Sequence, residues 1–470
     1  MSGALIVGII IIISVLSCKL TSKVGLPVLV GFIALGVLMG TRFSFEQVEH
    51  AEALCNLSLM FILFTGGFQT DFKKAKPVLG VSVLLPTLGT VLTAGAGAAF
   101  AYFILKFELY QAMLLGAVIS CTDAASVFSI LSSKNITFKN NLGSILEMES
   151  GFNDPIAYML TVVFIGLAQG ASQNVPVLLL MQVLIGAAVG FVVAMLGRRM
   201  MNKLNLDIDG LYAVLLCGVA LLTYGFAGLF GGNGFLAVYI CGMLLGNGKL
   251  VYKKLLSRLF NSVSMIMEIM LFIVLGLLFI PGTFRVVAGI GVLFALFLFF
   301  IARPLVMFLL MKPFGYRIKE IAMVSWSGFR GASSIVFATY LLSAGLPYAE
   351  IVFSVVFFVC LLSVICQGAF LAPLAKRWDL VDNEEKILKP IADYVKETDG
   401  EMLDYNVPFG SIVCGKSVQE LRLPKGLYIV MIKREGRYIV PSDSTVIMQD
   451  DSLTLASDDR EKLLQLSNFI

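Results

Sequence analysis

The chain has 470 residues, 58% hydrophobic and 14% charged, with a mean hydropathy of +0.91. A soluble domain carries about 25% charged and about 45–50% apolar residues, so a soluble enzyme and a disordered chain are both excluded for most of the length. Charge divides unevenly: residues 1–380 hold 24 Lys and Arg against 15 Asp and Glu, and residues 381–470 hold 11 against 16, which sets a basic membrane region apart from a small acidic tail.

The first apolar run begins almost at Met1 without a basic leader. It is followed by Cys18-Lys19-Leu20, not by a small-x-small cleavage site, so it reads as a retained helix. A membrane helix needs about 20 apolar residues. Runs bounded by charge, Gly, Pro or Asn predict thirteen spans: 4–18, 27–40, 54–68, 78–105, 109–131, 146–170, 177–200, 210–230, 234–247, 259–280, 283–311, 320–343 and 349–375. The odd-numbered connections and the C-terminal flank carry 19 Lys and Arg, whereas the even-numbered ones carry only Arg42, Lys106 and Arg285. By the positive-inside rule the N-terminus is outside and the tail cytoplasmic, in a multi-pass protein of the cell membrane.

Thirteen spans divide as six, one and six, the pattern of an inverted repeat around a linking helix. Each half holds one polar, broken segment: Ser120-Cys121-Thr122-Asp123 in the fifth span and Ser325-Trp326-Ser327-Gly328-Phe329-Arg330-Gly331 in the twelfth. Interrupted segments at matching positions point to a transport site. The eight cysteines form no Cys-x-x-Cys pair, and His50 is the one histidine, so zinc, a disulfide framework and His-based metal chemistry are not expected.

An ionisable group inside a bilayer costs roughly 2.5–3.5 kcal/mol. Asp123, Glu149, Asp154, Glu268 and Arg330 fall within predicted spans, with Arg303 nearer a helix end. Asp123 beside Thr122 offers a carboxylate, a hydroxyl and the free carbonyls of a broken helix to a hard monovalent cation; it also suits a helix cap, and the two roles are compatible. In Glu149-Ser150-Gly151-Phe152-Asn153-Asp154-Pro155, helical spacing brings Ser150, Asn153 and Asp154 onto one face. Pro155 leaves the Gly151 carbonyl without its usual amide partner. Arg330 cannot shed its proton and needs an anion. Glu149 and Asp123 are the candidates, and a Glu149–Arg330 ion pair leaves Asp154 free to titrate. Glu268 is expected to be an accessory carboxylate or a structural one at an interface.

These residues resemble the first family of monovalent cation:proton antiporters, the NhaP type. Thr122-Asp123, Glu149–Pro155 and Gly328-Phe329-Arg330-Gly331-Ala332 stand in that family's order and spacing over residues 1–375. The resemblance implies a homodimer in which a six-helix core slides against a dimerisation domain. It implies cation coordination by Thr122, Asp123, Ser150 and Asp154, with Asn153 marking electroneutral exchange and Glu149 paired to Arg330. Many relatives carry an acid in the third span after Leu-Phe, where this chain has Thr65, a candidate accessory residue. One carboxylate, Asp154, would hold either a proton or a dehydrated Na⁺ or K⁺, and only the occupied forms would cross the barrier.

Residues 381–400 read as a linker helix. Beyond them, alternation predicts strands at 402–407, 427–432 and 452–455, with helices at 417–421 and 460–464. The tail resembles the C-terminal subdomain of potassium-conductance regulators (TrkA-C or RCK-C type), which implies dimerisation or the sensing of a small-molecule regulator such as a nucleotide. The expected organisation is therefore an α-helical polytopic membrane domain at 1–378, a linker at 379–400 and a small cytoplasmic α+β domain at 401–470. No cofactor beyond the transported Na⁺ or K⁺ and H⁺ is expected, nor any enzyme chemistry or nucleic-acid partner. The competing reading is a cation channel or uniporter governed by the same tail, for which the chain lacks a Thr-Val-Gly-Tyr-Gly filter.

Overall fold

Backbone amides and carbonyls must be satisfied within each segment where lipid replaces water, and the described residues up to Asp382 answer almost entirely with helices. The computed structural model describes residues 8, 12–17, 28–40, 48–133, 136–172, 174–204, 206, 208–382, 401–408, 411, 413–421, 423, 427–434 and 437–457. Two compact units are present, Met1–Asp382 and Asn383–Ile470.

Among the described residues of the first unit, eight helices are long and apolar enough to cross a membrane, and four shorter apolar helices join them. The first predicted span, 4–18, lies largely outside the described residues, although 12–17 are helical. In chain order the helices are α1 (Val28–Gly40), α2 (Val48–Gln69), α3 (Phe72–Phe103), α4 (Leu109–Ile119), α5 (Ala124–Ser133), α6 (Leu142–Ala168) and α7 (Val175–Lys203). There follow α8 (Asp209–Leu229), α9 (Gly234–Gly246) and α10 (Lys253–Leu277). Next come α11 (Pro281–Phe297, continuing through a π turn into Arg303–Met311), α12 (Ile318–Trp326), α13 (Ala332–Ser343) and α14 (Ala349–Leu362, continuing through a π turn into Gly368–Arg377).

Both expected breaks are present, between α4 and α5 and between α12 and α13. Each broken pair is preceded by a long helix with a π turn, Leu85–Gly89 in α3 and Leu298–Ala302 in α11, and followed by another long helix. The sequence α3 to α6 therefore matches α11 to α14 element for element. Helices α1, α2 and α7 to α10 pack mainly on one another, and the two matched sets form the other half of the unit. Small residues bring α2 and α9 together: a Cβ on Gly67 would overlap the Tyr239 carbonyl, and one on Gly242 the Phe64 carbonyl.

The basic connections share one end of the bundle. Phe72 N donates to Asn247 Oδ1 (2.9 Å), Asn202 Nδ2 to the Lys249 carbonyl (2.8 Å) and Asn140 Nδ2 to Glu320 Oε1 (2.6 Å). At that end Thr137–Phe138 (β1) pairs antiparallel with Val381–Asp382 (β2), and Lys139 bridges to Asp379 at 2.9 Å. Residues 379–382 are thus pinned to the membrane unit, and 381–382 are strand where a linker helix is expected; the β1 backbone takes up their hydrogen bonds. Residues 383–400 lie outside the described ones.

The tail unit is an antiparallel sheet in the order β3 (Glu401–Asn406), β6 (Ser452–Ser457), β4 (Leu427–Arg434) and β5 (Arg437–Ile439). Ile432 and Tyr405 both lie opposite Leu453, and Val407, Val413, Ile447 and Leu455 complete the core. The helix expected at 417–421 is a turn. Leu421 N donates one turn back to the Ser417 carbonyl (3.3 Å), but Val418 N goes to the Thr445 carbonyl (3.0 Å) and Gln419 N to the Asp443 carbonyl (3.1 Å), and five residues are too few to nucleate a helix against that competition. The predicted helix at 460–464 lies outside the described residues.

Candidate cation site at the crossed breaks

The two breaks touch. Asp123 N donates to the Phe329 carbonyl across them (2.8 Å), and a Cβ on Gly331 would overlap the Asp123 carboxylate, so glycine is what allows the approach. Asp123 also caps α5: its Oδ1 accepts from Ser126 N (3.2 Å) and its Oδ2 from the Ser126 hydroxyl. Capping and a place at the site coexist here, because Asp123 also lines the cavity described below.

Helix α6 runs beside the first break. Ser150 Oγ donates to the Thr122 carbonyl (2.8 Å) and Asn153 Nδ2 to Thr122 Oγ1 (2.6 Å), which ties one face of α6 to the broken segment. Asp154 is 4% exposed; its Oδ2 accepts from Ser333 Oγ at the start of α13 (2.6 Å), while its Oδ1 accepts nothing from the protein. Asn153 Oδ1 is likewise without a partner. The expected residues Thr122, Asp123, Ser150, Asn153 and Asp154 are thus brought together. Ser333 is an addition that sequence reasoning missed, although its position just after Gly331-Ala332 at a half-helix start was a usable signal.

The expected Glu149–Arg330 pair is corrected. Glu149 Oε1 lies 2.6 Å from Arg303 Nη2, with both side chains 3% exposed or less. Arg330 instead donates from Nη1 to the carbonyls of Ile119 (2.6 Å), the last residue of α4, and of Cys121 (3.0 Å) in the break that follows it. Those buried carbonyls lie past the last helical amide of α4, and the Arg330 guanidinium satisfies them. Arg303 is not at a helix end but in the middle of α11, just after its π turn, and it lies against the second break: a Cβ on Gly328 would sit 2.6 Å from Arg303 Nε.

Asp154, Asp123, Ser150 and Ser333 open onto a cavity of about 620 Å³. Gln69, Thr70, Glu147 and Asn261 also line it, all near the basic end, and Thr65 and Glu268 stand on the wall made by α2 and α10. Thr65 Oγ1 donates to the Phe61 carbonyl of its own helix (2.8 Å). Toward the opposite end from Asp154, Tyr158 packs against Phe235, Phe337 and Tyr340 with ring centroids 5.1, 5.9 and 5.6 Å away, and Tyr340 Oη donates to Asn56 Oδ1 (2.7 Å). The site is therefore approached from the basic end and backed by aromatic rings.

Residues 9–377 match the family described as sodium/hydrogen exchanger, transmembrane, and residues 402–466 match the TrkA-C domain. The chain is 31% identical over 460 residues to the K(+)/H(+) antiporter NhaP of Alkalimonas amylolytica, covering 96% of this chain and 80% of that protein. It is 30% identical over 471 residues to the K(+)/H(+) antiporter NhaP2 of Shewanella sp. (strain ANA-3), covering 97% and 81%. In fold it is similar to the sodium proton antiporter MjNhaP1 from Methanocaldococcus jannaschii at pH 8, with a TM-score of 0.70 and 23% identity over 79% of this chain and 97% of that one. The chain belongs to the sodium/hydrogen exchanger family of membrane antiporters and carries a TrkA-C domain behind the membrane region.

Proposed function

We propose that this protein exchanges a monovalent cation for protons, with Asp154 as the carboxylate that the two ligands share. The observation that carries this reading is the state of Asp154: almost fully buried, held by Ser333 on one oxygen, without a hydrogen-bond partner on the other, and lining a cavity reached from one end of the bundle. A buried carboxylate of this kind is costly unless something positive occupies it. A proton or a dehydrated cation each meets that need, and they exclude one another. With Thr122, Asp123 and Ser150 supplying further oxygens and Asn153 neutral, the exchange is electroneutral. K⁺ is the first cation to test, because the relatives that align along almost the whole chain are K(+)/H(+) antiporters by name.

The basic connections support a cavity mouth in the cytoplasm, and the aromatic pack beyond Asp154 lies across the opposite route. Transport then requires the half bearing Asp154 to change which end it faces, the behaviour expected of matched repeats with broken helices. A homodimer in the cell membrane and a small-molecule regulator of residues 401–470 complete the proposal.

The test is cation-driven proton movement in proteoliposomes, followed with a pH-sensitive dye in K⁺ and in Na⁺, for the wild type and Asp154→Asn. Proton flux that disappears in the variant supports the reading and names the ion. Equal flux in both proteins removes Asp154 as the shared ligand, and cation flux without proton movement removes exchange itself.

A further inference from the structure

Helix α10 lines the cavity with Asn261, Ser264, Met265, Glu268 and Phe272, a single stripe at helical spacing. Among the described lining residues contributed by α1, α2, α9 and α10, Glu268 is the one charged group. The facing wall contributes Asp123, Glu147 and Asp154, and among the described residues no Lys, Arg or His lines the cavity. Glu268 has neither an ion pair nor a hydrogen bond among the described residues. A cavity of about 620 Å³ admits water at roughly 30 Å³ per molecule, so a cation enters hydrated. In such a space a carboxylate like Glu268, with no cationic partner among the described residues, raises the local cation concentration. Asp154, whose Oδ1 is buried without a hydrogen-bond partner, lines the same cavity and marks where the cation goes next.

We infer that Glu268, with Asn261 and Ser264 beside it, forms a loading site on the stationary wall that receives a monovalent cation from the basic side and passes it to Asp154. This deepens the exchange reading and rests on it. Because α10 packs on α1 and α2 while Asp154 rides on α6, the two carboxylates share a cavity only when that cavity faces the basic end. Glu268 therefore raises cation affinity on one side of the membrane and leaves the other untouched.

The experiment compares K⁺/H⁺ exchange in everted and right-side-out membrane vesicles containing the full chain, for the wild type, Glu268→Gln, Glu268→Asp and Asp154→Asn. Glu268→Gln is expected to raise the apparent KM for K⁺ about five- to twentyfold in everted vesicles, where the cavity mouth faces the medium, with maximal rate kept within about twofold. Right-side-out vesicles should show no change, and Glu268→Asp should recover part of the loss. An unchanged KM, or an equal rise in both vesicle types, overturns the inference. Should Glu268→Gln abolish flux, rubidium-86 binding to the purified protein decides: binding weakened in Gln and partly restored in Asp supports the loading site, and binding at wild-type strength makes Glu268 structural. Asp154→Asn keeps the two readings apart, since exchange surviving in that variant removes the shared carboxylate whatever Glu268 does.

Discussion

The Glu149–Arg303 contact allows a direct test of which guanidinium neutralises α6. Both side chains are 3% exposed or less and their charged atoms are 2.6 Å apart. Removing one member of such a pair leaves a buried charge uncompensated and costs about 3–5 kcal/mol, whereas removing both leaves none. Glu149→Gln and Arg303→Met should therefore each destabilise strongly, while the double variant recovers much of the loss, a coupling of about 2–4 kcal/mol. Pairing Glu149→Gln with Arg330→Met should give a coupling below about 1 kcal/mol, because the Arg330 Nη1 hydrogen bonds go to the Ile119 and Cys121 carbonyls. The assay is unfolding in mixed detergent and dodecyl sulfate micelles, followed by tryptophan fluorescence. Neither Glu149 nor Arg303 lines the cavity, so the double variant should still exchange ions. Stronger coupling of Glu149 to Arg330 than to Arg303 would refute the assignment.

Gly331→Ala should destabilise the membrane unit by about 1–3 kcal/mol and weaken cation affinity, since the added methyl meets Asp123; Gly95→Ala, with nothing near its Cβ, should do neither. Thermal unfolding and cation-dependent flux measure both effects. Asn153→Asp would place a second ionisable carboxylate beside Asp154. The wild type should give no net current on a solid-supported membrane and the variant a clear one; current from the wild type would end the electroneutral reading. In the tail, burial alone would raise the Asp451 carboxyl, but bonds from Arg434 (2.8 and 2.7 Å) and from the Met448 amide (2.8 Å) outweigh it and hold it below the usual carboxylate range. A lowered folded value stabilises the tail above the unfolded value of about 3.9 and loses that contribution as pH falls through the folded one. Proteolytic resistance of the tail in the full-length protein should therefore drop below about pH 4, and Asp451→Asn should lower it at neutral pH as well.

Local chemistry made much of this architecture readable. Breaks at 120–123 and 325–331 follow from runs of polar residues inside apolar segments, and the meeting of Ser150, Asn153 and Asp154 follows from helical spacing. What escaped was anything set by the path of a distant helix. Arg303 gives no sign in its own neighbourhood that a π turn will deliver it to Glu149, and Arg330 looks like a partner for an acid until the carbonyls at and just past the end of α4 are seen to take it. The 417–421 turn has a related reason: the Val418 and Gln419 amides are claimed by residues 443–445, which no short window contains.

The crossed breaks have one more consequence, for the electrostatics of the site. Helices α5 and α13 begin there and α4 and α12 end there, so two half-helix dipoles point their positive ends at the crossing and two their negative ends, and their partial charges of about half a unit cancel. What remains is formal charge: the carboxylates of Asp123, Glu149 and Asp154 against the guanidiniums of Arg303 and Arg330. One negative charge is left over. On the exchange proposed above, a single proton would cancel it, and so would a single alkali cation, so either passenger would leave the crossing neutral and the vacant form alone would carry a charge through the bilayer.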